Sequence, residues 1–215
     1  MTAYGGEMKK IASSTISRLS TYFRTLSHLL EKDVDTVSSN EIAKINQFTA
    51  AQVRKDLSFF GTFGKRGLGY RVDKLKDEIG RILGLEKEWN IALVGMGNIG
   101  RALVDYQEFR RQGFIFKILF DNDKNKVGTK VNDLTIYHID EACMIVKESK
   151  IEIAIIAVPA PKAQAVVDVF VGCGVKAFLN FAPITIKVPE NVMVKNENMS
   201  IELEALSYYL TQMKP

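Results

Sequence analysis

The sequence predicts an α/β chain in which a small basic helical domain precedes a mostly parallel, helix-covered sheet and a separate C-terminal helix. Three observations carry that expectation. An apolar strand runs into glycines at positions 95, 97 and 100 and then into a helical pattern. Net positive charge is confined to the front: residues 1–80 hold 13 Lys+Arg against 9 Asp+Glu, and residues 81–215 hold 16 of each. Near the end, Met199, Leu203, Leu206, Leu210 and Met213 recur at three- and four-residue steps. A chain of 215 residues, 47% apolar, can build one ordinary core or two small ones. The expected division is 1–84, 85–198 and 199–215.

In chain order, Ser13, Ser14 or Thr15 can cap a first helix whose apolar stripe is Ile16, Leu19, Phe23, Leu26 and Leu30. Residues 34–37 read as a short strand. Ser38-Ser39-Asn40 then caps a short helix, Glu41 to Ile45. After the turn at 46–48, Thr49-Ala50-Ala51-Gln52 has the Thr-x-x-Gln form of a capping box, which opens a third helix on Val53, Leu57 and Phe60. Helix, short helix, turn and capped helix is the order of a helix-turn-helix, here about Tyr22 to Gly61. The side away from the apolar stripe carries Ala51, Lys55, Ser58 and Phe59, flanked by Gln52 and Arg54. Cations with short hydrogen-bonding side chains suit a helix that enters a DNA major groove. Asp56 falls near the buried edge and is expected to satisfy a local donor.

From Gly61 to Val72 four glycines surround Lys65-Arg66. Such density suits a tight hairpin, and a basic hairpin after the third helix is the wing of a winged helix. Its tip, Lys65, Arg66 and Gly67, with Tyr70 beyond, can follow phosphates or enter the minor groove. Within 44–71 six basic residues face one acid, so the front domain is expected to bind a polyanion, DNA. Val72 to Leu83 continues as a helix on Leu75, Ile79 and Leu83, and the link at 84–89 ends the domain.

The stretch Ile91 to Leu103 then reads strand, glycine turn, helix. In a dinucleotide fold Gly95 permits the turn, Gly97 lets the backbone approach a pyrophosphate, and Gly100 lets helix and strand pack closely. The amides around Met96, Asn98 and Ile99 open the new helix, where the positive end of its dipole favours phosphate. Asp121 lies 21 residues beyond Gly100, at the end of the apolar run Phe114–Phe120. A carboxylate there can accept both ribose hydroxyls and repels a 2′-phosphate, so NAD and NADH are expected and NADPH disfavoured. Asp123 is a second candidate. The domain is thus expected to be Rossmann-like.

Further on, Leu134–Tyr137 reads as an edge strand, Asp140–Lys147 as a helix, and Ile151–Val158 as a buried strand broken by Pro159 and Pro161. The loop at Val158-Pro159 falls at the carboxyl end of the sheet, where ligands bind in open α/β folds. A helix Lys162–Val171, a strand Ala177–Phe181 and the terminal helix Ser200–Lys214 follow. That last stripe needs a partner, its own domain or a second subunit.

A nicotinamide dehydrogenase is the competing class, and it needs a substrate domain and a proton-moving group. About 115 residues between linker and terminal helix leave room for the cofactor domain alone. His28 and His138 have no partner carboxylate at an evident spacing, and no metal-ligand cluster is present. The two cysteines, Cys143 and Cys173, show no metal spacing and read as reduced, buried thiols of a cytosolic protein. No apolar run is long enough to span a membrane, and the start lacks the layout of a signal peptide.

Taken in this order, the chain resembles the redox-sensing transcriptional repressors of the Rex family from about Ile11 to Leu210. The most specific stretches are Ala51–Gly61 and Gly64–Tyr70, followed by the Gly95–Gly100 motif. Thr15–Leu19 and Tyr22-Phe23-Arg24 are similar to the family's opening helix, and Val158-Pro159-Ala160 and Asn180–Pro183 to its ligand-facing loops. The resemblance implies a cytoplasmic homodimer with swapped terminal helices. Such a dimer binds palindromic operators when NADH is scarce and releases them when NADH binds. It implies that Arg18 reports cofactor state, with Tyr106 as its tyrosine partner, that Asn180 faces ligand, and that Met199 lies near the nicotinamide. Asn198 stands where the family usually has an aspartate paired with that arginine, so the contact should be weaker. The proline usual near the start of the first helix is replaced by Ala12 after Ile11. Two alternatives remain in view, an NAD-dependent oxidoreductase and a DNA-binding sensor of another adenine nucleotide, such as a CoA derivative.

Overall fold

A computed structural model describes residues 11–64 and 67–213, and the chain divides into two compact units between Lys87 and Glu88. Each is taken by itself.

The first unit holds α1 (Ser13–Leu30), β1 (Thr36–Val37), α2 (Ser39–Asn46), α3 (Ala50–Ser58), β2 (Tyr70–Arg71) and α4 (Val72–Ile82). Its core joins Leu19, Tyr22 and Leu26 of α1 to Ile42, Val53, Leu57, Val72, Leu75 and Ile79. The buried side of α1 is turned from the apolar stripe expected, because Thr15, Tyr22 and Thr25 are buried while Ile16 is exposed. Ala12, not a serine, is its N-cap, without a side-chain cap. A period of 3.6 gives helix but not phase when hydroxyls find partners inside: Tyr22 donates to Asp56 and Thr25 to Asn46.

Ser38 and Glu41 form a complete capping box on α2, which ends at Gln47 in the left-handed region, turning the chain toward α3. The box expected at Thr49 is half made. Thr49 Oγ1 accepts from the Gln52 amide at 3.1 Å, but the Gln52 side chain turns to Asp56 instead.

The glycine-rich segment returns through β2, which pairs antiparallel with β1, Thr36 opposite Arg71 and Val37 opposite Tyr70. Among the described residues no strand precedes β2 in this segment, so its partner is β1 and not the near limb of a hairpin. Two glycines are required sterically. At Gly64 a Cβ would run into the Gly69 carbonyl, and at Gly69 into that of Val37; both have positive φ, +79° and +74°. Lys65 and Arg66 lie outside the described residues.

The second unit is a sheet in the order β5 (Lys130–Val131), β6 (Leu134–His138), β4 (Phe114–Asp121), β3 (Trp89–Val94), β7 (Ile153–Ile156), β8 (Ala177–Asn180), β9 (Met193–Asn196). Every pairing is parallel except β5 with β6. Counted from β3, the parallel strands stand 3-2-1-4-5-6, the doubly wound order, and the direction of winding reverses between β3 and β7. The strand at 134–138 is interior, since the Lys130–Val131 hairpin arm covers its edge. Strand β9 has no counterpart in the sequence reading. It is short, and Met193, Lys195 and Asn196 are all exposed, which gives no apolar alternation to read.

Period-two alternation sorts the sheet. Ala92 and Val94 face α7 (Ala142–Glu148) and α8 (Ala160–Gly172), with Phe120, Val167 and Phe170. Ile91 and Leu93 face the other way with Met96, Leu119 and Ile136. The helix α5 (Asn98–Asp105) follows the glycine turn, and α6 (Gln107–Arg111) leads into β4. Pro159 and Pro161 begin α8, as N-cap and early helical residue, where a missing amide costs nothing.

The cysteine expectation is corrected. Cys143 and Cys173 form a disulfide, their Cα atoms 4.7 Å apart across 30 residues of chain, and Cys143 is exposed. Packing of α7 against α8 brings them together, a relation that spacing along the chain cannot show. The last helix, α9 (Met199–Gln212), has no buried residue; Met199, Leu203, Leu206, Leu210 and Met213 are all exposed.

Candidate dinucleotide cleft and DNA-facing helix

At the switch between β3 and β7 the carboxyl ends of the strands open onto a cavity of about 620 Å³. Gly95, with φ of +99°, makes the turn out of β3; a Cβ there would strike the Ala157 carbonyl at the end of β7. Gly100 is needed for packing, since its Cβ would run into the Gly95 carbonyl and crowd Leu93. A Cβ on Gly97, the N-cap of α5, would meet nothing within 4 Å, so this backbone is open to approach. The three glycines therefore act in three different ways.

Asp121 ends β4 and lines the cavity at 7% exposure. Its Oδ2 accepts from the Met96 amide at 2.9 Å and the Lys126 ammonium at 3.0 Å, and its Oδ1 from the Asp123 amide at 2.9 Å. Burial by itself would raise this carboxyl's pKa; the Asp123 amide, Lys126 and the Met96 amide outweigh it and hold the group below the ordinary carboxylate value. The side chain is thus ionised and oriented before any ligand arrives. Its stabilising effect is present above about pH 4 and is lost as pH falls through the lowered folded value.

Of the other positions expected to hold a dinucleotide, Val158 and Pro159 line the cavity with Gly95 and Gly97. Met96 is buried with Leu93 and Leu119 and gives its amide to Asp121, while Asn98 and Ile99 are exposed on the first turn of α5. Met96, Asn98, Ile99 and Gly100 flank the lining glycines without lining the cavity, and Asn180 and Met199 do not line it either. Asn180 is fully buried, and its amide donates to the carbonyls of Ala182 and Ile184 and to Asn196 Oδ1 at 2.9–3.1 Å, holding the following loop in place. Met199 is 67% exposed on α9. Lys126 and Lys162 line the cavity, and the sequence reading did not single them out. A lysine five residues after the strand-end carboxylate was the available signal for the first.

In the N-terminal unit, α3 presents Ala51, Arg54, Lys55, Ser58 and Phe59 to solvent. Arg54 Nη1 donates to Ser39 Oγ at 3.0 Å, which ties α3 to the first turn of α2, and Ser58 Oγ donates to the Lys55 carbonyl at 2.7 Å. Lys55 is left pointing outward. Gly67 has φ of +86° and open space around it. Tyr70 is half-buried, and burial pushes its phenol's pKa up.

Asp56 is the internal anchor of this unit, fully buried on the inner side of α3. Its Oδ2 accepts from Arg18 Nε at 2.6 Å and Tyr22 OH at 2.9 Å, and its Oδ1 from Arg18 Nη2 and Gln52 Nε2, both at 2.8 Å. Burial would raise the Asp56 pKa; the bonds from Arg18, Tyr22 and Gln52 outweigh it and keep the carboxyl below its ordinary value. The same network pushes the Tyr22 phenol up, through burial and then Asp56. Arg18, implied by the resemblance to report cofactor state, is here a bidentate partner of Asp56. Its guanidinium pKa is raised by that bond. Tyr106 is exposed between α5 and α6, edge-on to Phe109 with ring centroids 5.1 Å apart. Asn198 is the N-cap of α9, its Oδ1 accepting from the Ser200 amide at 3.0 Å. It therefore starts the helix, a role the sequence reading did not give it.

Each histidine does have a carboxylate neighbour. His28 Nδ1 lies 3.5 Å from exposed Glu31, and His138 Nδ1 is 3.1 Å from Asp140 Oδ2 while accepting the Asp140 amide. Both contacts are local, within three residues, and neither histidine lines the cavity. Among the described residues there is no cluster of His, Cys, Asp or Glu able to hold a metal, and no helix long and apolar enough to cross a membrane.

Comparison with known proteins covers both units. Residues 10–58 match a family described as a putative DNA-binding protein N-terminus, and residues 86–184 one described as a CoA binding domain. The redox-sensing transcriptional repressor Rex of Syntrophobacter fumaroxidans is 46% identical over 203 residues, spanning 94% of this chain and 97% of that protein. That of Carboxydothermus hydrogenoformans is 48% identical over 93% of this chain and 96% of that one. Among solved structures, RSP, a Rex-family repressor, in complex with β-NAD+ and operator DNA superposes with a TM-score of 0.89 at 37% identity, covering 94% of this chain and 93% of that one. Its complex with β-NADH gives 0.86 at 35% identity, covering 95% and 96%.

Proposed function

The chain belongs to the Rex family of redox-sensing transcriptional repressors, and from that premise we propose how its own residues do the sensing. The N-terminal unit binds operator DNA through α3 and the wing. Arg54, Lys55 and Ser58 meet the major groove, Gln52 supports them through Asp56 instead of reaching the groove itself, and Lys65, Arg66, Gly67 and Tyr70 lie along the backbone or in the adjacent minor groove. The second unit binds NADH and NAD+ at the switch-point cavity. The pyrophosphate lies over Gly95, Met96, Gly97, Asn98, Ile99 and Gly100, the adenosine ribose on Asp121, and the far end beside Val158 and Pro159. Asn180 acts by holding the loop at 182–184. The observation that carries this reading is a preorganised carboxylate, Asp121, in a cavity behind an open glycine turn.

Two copies joined through α9 read a palindrome, because each half-site takes one recognition helix and the spacing must match the protein's twofold axis. The 1–84, 85–198 and 199–215 segments then serve DNA, dinucleotide and dimer. NADH need only prefer the state that misaligns the two helices; a preference of about a hundredfold is worth about 2.7 kcal/mol. Arg18, Tyr106, Asn198 and Met199 are the positions through which that preference reaches DNA in a dimer. The dinucleotide is read and released unchanged, by a cytoplasmic regulator that is not an enzyme and needs no metal.

A mobility shift on palindromic DNA, with NADH, NAD+ and CoA titrated separately, tests the reading. Release by NADH and not by NAD+ or CoA is the expected result. A CoA sensor is the second reading, favoured by the family description at residues 86–184 and by Lys126 and Lys162, which could take a 3′-phosphate. Release by CoA alone would establish it.

Two substitutions probe the halves separately. Asp121→Ala is expected to weaken NADH several-fold, by about 1 kcal/mol or more for each charged hydrogen bond lost, and to narrow discrimination against NADPH. Unchanged calorimetric affinity for both would remove Asp121 from the ribose. Lys65→Ala with Arg66→Ala is expected to weaken DNA of any sequence and to flatten the log–log salt slope by about one unit per phosphate contact. An unaltered slope would place the wing off the backbone.

A further inference from the structure

We propose that the Cys143–Cys173 disulfide is a reversible thiol switch that sets how tightly the cavity grips the adenosine half common to NADH and NAD+. The proposal rests on the dinucleotide reading above and adds a second redox input to it.

The bond lies one helical turn beyond residues that line the cavity, without lining it itself. Cys173 follows the last turn of α8, four residues past Val169 and seven past Val166, which puts it on the same helix face as those two cavity-lining residues. Cys143 sits in the first turn of α7, four residues after Ile139, which also lines the cavity. Ile139 follows His138, and His138 stands in register with Asp121 across β4 and β6. The disulfide therefore ties the end of α8, whose Val166 and Val169 line the cavity, to the helix that directly follows the Ile139 turn, with Cα atoms 4.7 Å apart.

The pair is also asymmetric in the way exchange requires. Cys143 is exposed, whereas Cys173 is buried, at 5%. A thiolate of an external dithiol can attack the Cys143 sulfur, and Cys173 leaves as a thiolate and takes a proton. The reagent's second thiolate then resolves the mixed disulfide, freeing Cys143. Two electrons pass from the dithiol, which closes to its own disulfide, and the protein ends with two thiols. A protein that acts on DNA works where thiol systems hold most cysteines reduced, and disulfides found there are mostly catalytic or redox-sensing.

Opening the bond leaves α7 and α8 held by their apolar packing alone and loosens the Ile139 turn and the end of α8 beside the ribose carboxylate. Because both cofactors share their adenosine half, both weaken by the same factor. The protein still compares NADH with NAD+, but it needs more total dinucleotide to fill.

The test uses the full chain, oxidised and after dithiothreitol, with NADH, NAD+ and ADP-ribose titrated by calorimetry and free thiols counted under native conditions. Reduction is expected to expose two thiols and to weaken all three ligands equally, by about fivefold or more, the low end of ordinary coupling. The Cys143→Ser, Cys173→Ser double variant should match the reduced protein and ignore dithiothreitol. Equal affinity in the two forms, a bond that dithiothreitol does not open in the folded protein, or a change confined to NADH would each overturn the proposal. Absence of binding by either form would instead overturn the dinucleotide reading, and this proposal with it.

Discussion

Asp56→Ala is expected to lose about 3–5 kcal/mol of stability in the N-terminal unit, the range for removing one partner of a buried ion pair. Domains are stable by only about 5–15 kcal/mol, so the loss is a large share. The carboxylate is fully buried and its oxygens take five donors, from Thr15, Arg18, Tyr22 and Gln52. Its removal strands the Arg18 charge and the Tyr22 hydroxyl and unties α3 from α1. DNA binding should fall with stability although Asp56 faces away from the exposed side of α3. Denaturant unfolding followed by circular dichroism, beside a mobility shift, measures both. A cost under about 1 kcal/mol, the range of an exposed pair, would mean that the carboxylate does not hold the two helices. Arg18→Met with Asp56→Leu should recover much of the stability, since an apolar pair can replace a buried ionic one. It should recover neither the tie to Gln52 nor the acceptor of the buried Tyr22 hydroxyl. With respect to pH, the folded Asp56 pKa is lowered, so its contribution is complete above about pH 4 and disappears as pH falls through the folded value.

Removal of residues 199–215 is expected to leave a monomer that binds a two-half-site operator about 10²–10⁴-fold more weakly, the advantage that linkage of two sites ordinarily confers. Every large apolar residue of α9 is exposed in the single chain: Met199, Ile201, Leu203, Leu206, Tyr208, Tyr209 and Leu210 among them. A stripe of this size left in water marks an interaction surface. Sedimentation should show about half the mass, and affinity for an isolated half-site should be unchanged, because the residues proposed to face DNA lie in the other unit. A dimer that survives the truncation would assign dimerisation to another surface. Leu203→Glu, Leu206→Glu and Leu210→Glu together in the full chain provide the same test without shortening it.

Much of the fold was legible because its signals are local. The caps at Ser38 and Thr49 depend on residues within about one turn of each other, and the strand–glycine–helix run at 91–103 is one continuous segment. Asp121 could be placed at the end of a strand because it closes an apolar run at the distance a strand–helix–strand unit requires. Other features depended on which side of an element faces inward. The phase of α1 was not legible because Thr15, Tyr22 and Thr25 are buried with partners, which an apolar count passes over. Strand β9 lacks an apolar alternation and exists by pairing with β8. The interior place of β6 required the β5 arm to fold over its edge.

The candidate site divides in the same way. A basic helix-turn-helix ahead of a strand–glycine turn–helix, and a strand that ends on a carboxylate, could be read from the sequence, because glycine, capping and charge patterns are properties of short segments. Only the tertiary structure decided which side chains are spent internally. Arg18 and Asp56 are 38 residues apart in the chain, Asn180 and Asn196 are 16 apart, and Cys143 and Cys173 are 30 apart. Those pairings follow from how helices and strands pack, and packing brings together residues whose separation along the chain carries no signal.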